Sequence, residues 1–192
     1  MGNQSKGSVD GVQSDVKVVE MRTIWKSSVY DVLLRVLAFL LTLTATIIVG
    51  VDKETKIISY SELQFKVTAK WEYMSAIVFF LVSNAIGCSY AAICMVISTI
   101  ARINGNKTTL LIITVLDLII MALLFSANGA GAAVGVLGQK GNSHVQWMKV
   151  CNIFDAYCRH TTVALVLSII GSSVFLLIVV HSVFKLHYYR SN

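Results

Sequence analysis

Proline is absent from all 192 residues, and charged side chains make up only 14% of them. Broken or hinged membrane helices commonly use proline alongside glycine to interrupt the backbone, so its absence favours a rigid bundle over a moving transporter. So few charges cannot cover the surface of an ordinary soluble domain. The HExxH, GxSxG and P-loop patterns are missing, as are paired carboxylates, and with them the commonest hydrolytic and nucleotide-dependent chemistries. There is no CxxC, which counts against a four-helix membrane oxidoreductase. No internal repeat is evident, which counts against the inverted-repeat logic of secondary transporters. The chain therefore reads as a non-enzyme, with no catalytic residue, cofactor or metal assigned.

What the sequence has instead is long apolar runs, within a chain that is 56% hydrophobic. An apolar helix crosses the hydrocarbon layer in roughly 20 residues. Four such runs lie at about 32–51, 75–99, 109–137 and 162–184. They predict an all-α integral membrane protein: one four-transmembrane-helix bundle over 31–184, with no separate soluble core. Residues 1–30 read as a loosely attached polar tail with Ile24 and Trp25 near the interface, and 185–192 as a short second tail. Residues 52–72 and 138–161 read as two loops on the opposite face. The first apolar run has no small-residue cleavage site behind it and reads as an uncleaved signal-anchor.

The formal charge is +6 and the isoelectric point about 9.2. The basic residues flank the spans, where anionic lipid headgroups account for them. No basic stripe interleaved with aromatics appears, so nucleic acid is not an expected partner. With the termini inside, eight basic residues fall on the inner segments and seven on the outer loops, a negligible count bias. However, the lysines of 52–72 are balanced by Asp52, Glu54, Glu62 and Glu72, whereas the inner turn ARINGNK is short and basic. Because short loops carry the positive-inside weighting, both termini are expected to be cytosolic. Lys6 stands where a myristoylation signal needs a hydroxyl. The sequons at Asn3 and Asn106 fall on the cytosolic side and are expected to stay unmodified.

Arg35 and Asp117 are the only ionised side chains within the four runs. Each costs about 2.5 kcal/mol or more in hydrocarbon and needs a partner or water. The first and third spans run in the same direction. Arg35 sits about 5 Å inside its span and Asp117 about 13 Å inside its own, a difference most of which an arginine stem bridges. An intramembrane ion pair is the expectation, and a proton or ion relay is the alternative. Ala127, Gly131 and Gly135 recur every four residues, and Gly171 with Ser172 and Ser173 lies mid-span in the fourth run. Such small-residue faces let helices approach closely, either within this bundle or against a neighbouring subunit. Cys151 and Cys158 share one loop; on a straight helix they would be about 10 Å apart, too far to bond. A disulfide therefore requires CNIFDAYC to fold back. A zinc site with His144 and His160, or free thiols, are the other possibilities. Cys88 and Cys94 read as packing residues within the second span.

The Arg in span one, the Asp in span three, the two-cysteine outer loop, and above all the stretches FLVSNAIGCSYAAICMVIS (80–98) and DLIIMALLFSANGAGAAVGVLGQKGNSHVQWMKVCNIFDAYC (117–158) resemble the plant CASP-like family, subfamily 1. These proteins are relatives of the Casparian strip membrane domain proteins and, more distantly, of MARVEL proteins. The resemblance covers residues 30–185 in segment order. It implies a MARVEL-like bundle in the plasma membrane that associates with itself and with related family members into laterally stable platforms. Outer loops would then contact cell-wall material or wall enzymes. It also carries the family's Arg and Asp onto Arg35 and Asp117 and its loop cysteines onto Cys151 and Cys158. Loop one lacks the aromatic-rich signature of strip-forming members, so the resemblance does not extend to the Casparian strip itself. The function expected is a non-enzymatic scaffold; the competing class is a channel or small-solute transporter subunit using Asp117 and Arg35.

Overall fold

The computed structural model describes residues 6–60, 63–103, 107–145 and 147–191. Asn3, Asn106 and the opening MGNQS lie outside them. Four helices carry the fold: α1 (Lys6–Val51), α2 (Ser75–Ile103), α3 (Lys107–Lys140) and α4 (Asp155–Ser191). Each contains a stretch long and apolar enough to cross a membrane, at Val29–Val51, Ser75–Ser98, Thr108–Lys140 and Asp155–Leu186. In the packed bundle α1 and α3 each lie against both α2 and α4. The helices thus form a ring in which α1 and α3 face each other across a diagonal.

The distribution of side chains is that of a membrane bundle. Leu33, Leu37 and Leu40 of α1, Val82 and Ile93 of α2, Ile112 and Ile119 of α3, and Val166, Ile170 and Leu177 of α4 are exposed. Arg35, Thr42, Asn84, Asp117, Asn128, Ser168 and Ser172 are buried. Aliphatic surface faces outward because lipid tails are as apolar as leucine. Polar groups turn inward because hydrocarbon offers them no hydrogen bonds.

Two segments differ from the sequence reading. Residues 52–72 are not an irregular loop. They form an antiparallel hairpin of β1 (Lys53–Tyr60) and β2 (Leu63–Lys70), in register from Lys53↔Lys70 to Tyr60↔Leu63. KETKIISY and LQFKVTAK are rich in β-branched and aromatic residues that suit a pleated surface; their charges drew attention away from that pattern. The polar N-terminal segment is not a loose tail from Lys6 onward but the start of α1. With no proline to stop it, a helix nucleated in the membrane extends at low cost per residue.

On the hairpin face, α3 ends where Gly141 adopts φ +66° and its N–H bonds Leu137 O at 2.8 Å. This is the left-handed helix ending that glycine supplies, and a Cβ there would stand 2.7 Å from Trp147 O. A short bridge between Asn142 and Trp147 follows, then a 3-10 turn at Val150–Asn152, and α4 starts at Asp155.

Small residues set the helix spacing inside the bundle. An added Cβ on Gly171 would sit 3.4 Å from Leu41 and Thr42 of α1. One on Gly131 would meet Phe80 at 3.3 Å and Leu165 at 3.4 Å. Ala127 is fully buried, while a Cβ on Gly135 would meet open space. Ala127, Gly131 and Gly171 are thus occupied within one chain, and a neighbouring subunit would have to use other surface. Gly171→Leu should force α1 and α4 apart and cost about 1–3 kcal/mol by overpacking, read as a lower thermal midpoint in detergent. Gly135→Ala, whose Cβ meets open space, should not lower that midpoint.

Candidate functional site

The centre of the bundle is a charge node built from three helices. Arg35 is 2% exposed and Asp117 fully buried, so neither can rely on water. Arg35 spans the diagonal from α1 to α3. Its Nη1 donates to Asp117 Oδ1 at 3.0 Å and its Nη2 to Asp117 Oδ2 at 2.7 Å. This is the two-pronged geometry that a planar guanidinium makes with a carboxylate. Its Nε turns back to Asp31 Oδ2 at 3.3 Å, one helical turn earlier on α1. From α2, the Tyr90 hydroxyl lies 2.8 Å from Asp117 Oδ1 and 3.2 Å from Ile113 O, its proton shared between the two acceptors. The fourth helix closes the layer, with the Phe175 ring tilted by 38° at 6.4 Å from the Tyr90 ring and Leu34, Ala38, Ala91 and Leu124 packed around it.

Toward the hairpin face a second set of polar contacts ties the remaining helix pairs. Asn128 Nδ2 donates to Ser172 Oγ at 2.9 Å, joining α3 to α4. Ser168 Oγ donates to Asn84 Oδ1 at 2.8 Å, joining α4 to α2 across the other diagonal. Asn84 in turn donates to Phe80 O at 2.9 Å, and Ser172 to Ser168 O at 2.8 Å. Both diagonals of the ring are therefore crossed by hydrogen bonds. In a bilayer such bonds are worth about 0.6–2 kcal/mol each.

At the hairpin end, two carboxylates, Asp52 just before β1 and Glu54 within it, fasten the hairpin root to α4. Glu54 Oε2 accepts from the Tyr157 N–H at 2.9 Å, and Asp52 Oδ1 lies 3.1 Å from His160 Nδ1. The Glu54 contact caps a free amide in the first turn of α4, where a negative charge is favoured. The Tyr157 N–H, assisted by nearby Lys56, holds the Glu54 carboxyl below its ordinary 4.5 against the opposing effect of desolvation. Cys151 and Cys158 form a disulfide with Cα atoms 5.6 Å apart. The separation is short because Cys151 lies in the 3-10 turn and only Cys158 lies on α4. Both thiols are consumed, which removes the zinc and free-thiol alternatives; among the described residues no cluster suits a metal. His160 is engaged with Asp52, and among the described residues His144 joins no group suited to a metal.

The node, the hairpin and the loop all fall within a stretch, residues 26–174, that matches the Casparian strip membrane protein domain. The chain belongs to that family. A CASP-like protein 1E1 of Vitis vinifera is 50% identical over 97% of this chain and 97% of its own length. The CASP-like protein 1E2 of the same plant is 47% identical over 96% and 97%, respectively. A CASP-like protein 1E1 of Arabidopsis thaliana is 37% identical over 97% of this chain and the whole of its own. No solved structure matches. Family membership and the four apolar helices together make this a multi-pass membrane protein.

Four participants escaped the sequence reading. Asp31 falls just outside the first apolar run, though its four-residue spacing from Arg35 on a continuous helix pointed to it. Tyr90 has no role in the sequence reading, and its hydroxyl partner lies 27 positions away. Asp52 and Glu54 balance the neighbouring lysines in sequence, which gives no sign of their contacts with α4.

Tyr90→Phe removes a hydrogen bond to a buried carboxylate and should cost about 1.5–3 kcal/mol, measured as a shifted unfolding midpoint in mild detergent with the helical content unchanged. The Glu54 cap should respond to acid. Because its folded pKa is lowered, its contribution is complete above 4.5 and is lost as pH falls through the folded value. The Tyr157 amide resonance should therefore move with a midpoint below 4.5 in the native protein and show no such step in Glu54→Ala.

Proposed function

We propose that this protein is a non-enzymatic scaffold of the plasma membrane that associates laterally with itself and with related family members, forming membrane platforms that organise partner proteins or wall material. The observation that carries this reading is the engagement of the intramembrane charges with each other. Arg35 and Asp117 are spent on a two-pronged contact that pins the bundle. The aliphatic surface of all four helices is left for lipid and for neighbouring copies. Membership of a Casparian strip domain family supports the same role.

In this reading both termini are cytosolic, and the hairpin and disulfide-bonded loop stand outside, where an oxidising environment maintains a bond such as Cys151–Cys158. The carboxylate clamp on α4 gives the hairpin a fixed attitude toward partners beyond the membrane.

Photobleaching in a cell membrane, with native electrophoresis of mild-detergent extracts, tests the proposal. Slow recovery and discrete oligomers are expected; a freely diffusing monomer would refute it. Reconstituted vesicles test the competing transport role. Flux in the native protein that disappears in a still-folded Asp117→Asn variant would replace the scaffold with a conductor, whereas flux no greater than that of empty vesicles is expected.

A further inference from the structure

The hairpin separates its charges by face. Directly paired residues of an antiparallel ladder share a face, and the face alternates along each strand. One face therefore bears Glu54 and Lys56, which pair with each other at 3.2 Å, and Glu54 turns toward α4. The other bears Lys53, Thr55 and Ile57 from β1 opposite Lys70, Thr68 and Lys66 from β2. The contact between the Thr55 and Thr68 hydroxyls at 3.1 Å confirms that these side chains lie together. Among the described residues this second face holds three lysines and no carboxylate, and none of the three forms an ion pair.

Lys53 and Lys70 are also direct cross-strand partners. Like charges so placed, with Cβ atoms about 5 Å apart, destabilise a sheet, so an anion bound between them would relieve the repulsion. Lys66 stands four residues beyond Lys70, about 13 Å along the strand. The threonine hydroxyls lie between the two, and Ile57, 67% exposed, lies beside Lys66. The face thus repeats positive charge along an extended line, with hydroxyls and an apolar side chain interspersed.

We propose that this face binds an anionic polysaccharide, a polymer of sugar acids whose carboxylates recur along an extended, hydroxyl-rich chain. The lysines meet the carboxylates, Thr55 and Thr68 meet sugar hydroxyls, and Ile57 packs on the C–H face of a ring. A phospholipid headgroup could satisfy Lys53 and Lys70 at the hairpin root; Lys66, farther along the strand, favours a polymer. The inference rests on the proposed outward orientation of the hairpin.

The test uses the full chain in nanodiscs of zwitterionic lipid, probed with oligogalacturonate. Binding that weakens with salt is expected, as is no binding of a neutral glucan of similar length. The triple variant K53Q/K66Q/K70Q should bind about tenfold more weakly, given exposed ion pairs of about 0.5 kcal/mol each. The double variant K140Q/K149Q, on the neighbouring loop, should bind as the native chain does. Helical content and an intact Cys151–Cys158 bond check that each variant is folded. No binding by the native chain, equal binding by the triple variant, or loss of binding when anionic lipid is added to the nanodisc would overturn the proposal, the last by assigning the lysines to headgroups. Labelling a cysteine introduced at Thr55 in intact cells reads orientation separately. Labelling from outside with no oligogalacturonate binding sinks this inference alone; access only from the cytosol sinks both the orientation and the polymer as partner.

Discussion

Everything else in the bundle is arranged around one long side chain crossing between helices that are not neighbours. Arg35 reaches from α1 to Asp117 on α3 through the middle of the ring, and both groups are shut off from solvent. Charges in a dry interior are tolerated only when they satisfy one another, as Arg35 does for both Asp117 and Asp31, because the cost of leaving one unpaired is several kcal/mol. That demand fixes the rotation of α1 and α3 about their axes and their relative height. Tyr90 brings α2 to the same point, and Phe175 closes the remaining side. Once the layer is set, α2 and α4 cross the other diagonal through Asn84 and Ser168.

A membrane chain of this kind gains little from burying aliphatic surface, since lipid already provides an apolar surround. Specificity has to come from close approach and from polar pairs. Both are present: Gly171 lets α4 lie against Leu41 and Thr42, Gly131 admits Phe80 and Leu165, and buried serine and asparagine side chains supply directional contacts. Polar contacts fasten the hairpin root as well, where Asp52 and Glu54 meet a histidine and a free amide in the first turns of α4.

The number of helices and the expectation of a central ion pair were legible because hydrocarbon punishes charge, making Arg35 and Asp117 conspicuous against uninterrupted apolar runs. The family was legible in residues 117–158, where glycines, the loop and both cysteines come in one order. The hairpin was hidden because its lysines and glutamates looked like a solvated loop, while the β-branched pattern beneath them was short. The direction of the small-residue faces was also illegible: Gly131 and Gly171 advertise close approach without saying to what, and only packing resolves that they face their own chain. Asp31 precedes the first apolar run by one residue, where a charge is not conspicuous.

A double-mutant cycle on the node is the most direct test of this account. Stability in a fixed detergent would be measured for the native chain, Arg35→Met, Asp117→Leu and the double variant. Each single change strands buried charge and should cost about 3–5 kcal/mol. The double change removes the pair, deprives only Asp31 of its contact with Arg35, and should cost clearly less than the sum of the single changes, leaving a coupling of about 2 kcal/mol or more. Two single effects that simply add would mean that Arg35 and Asp117 act independently, and the central constraint described here would be absent.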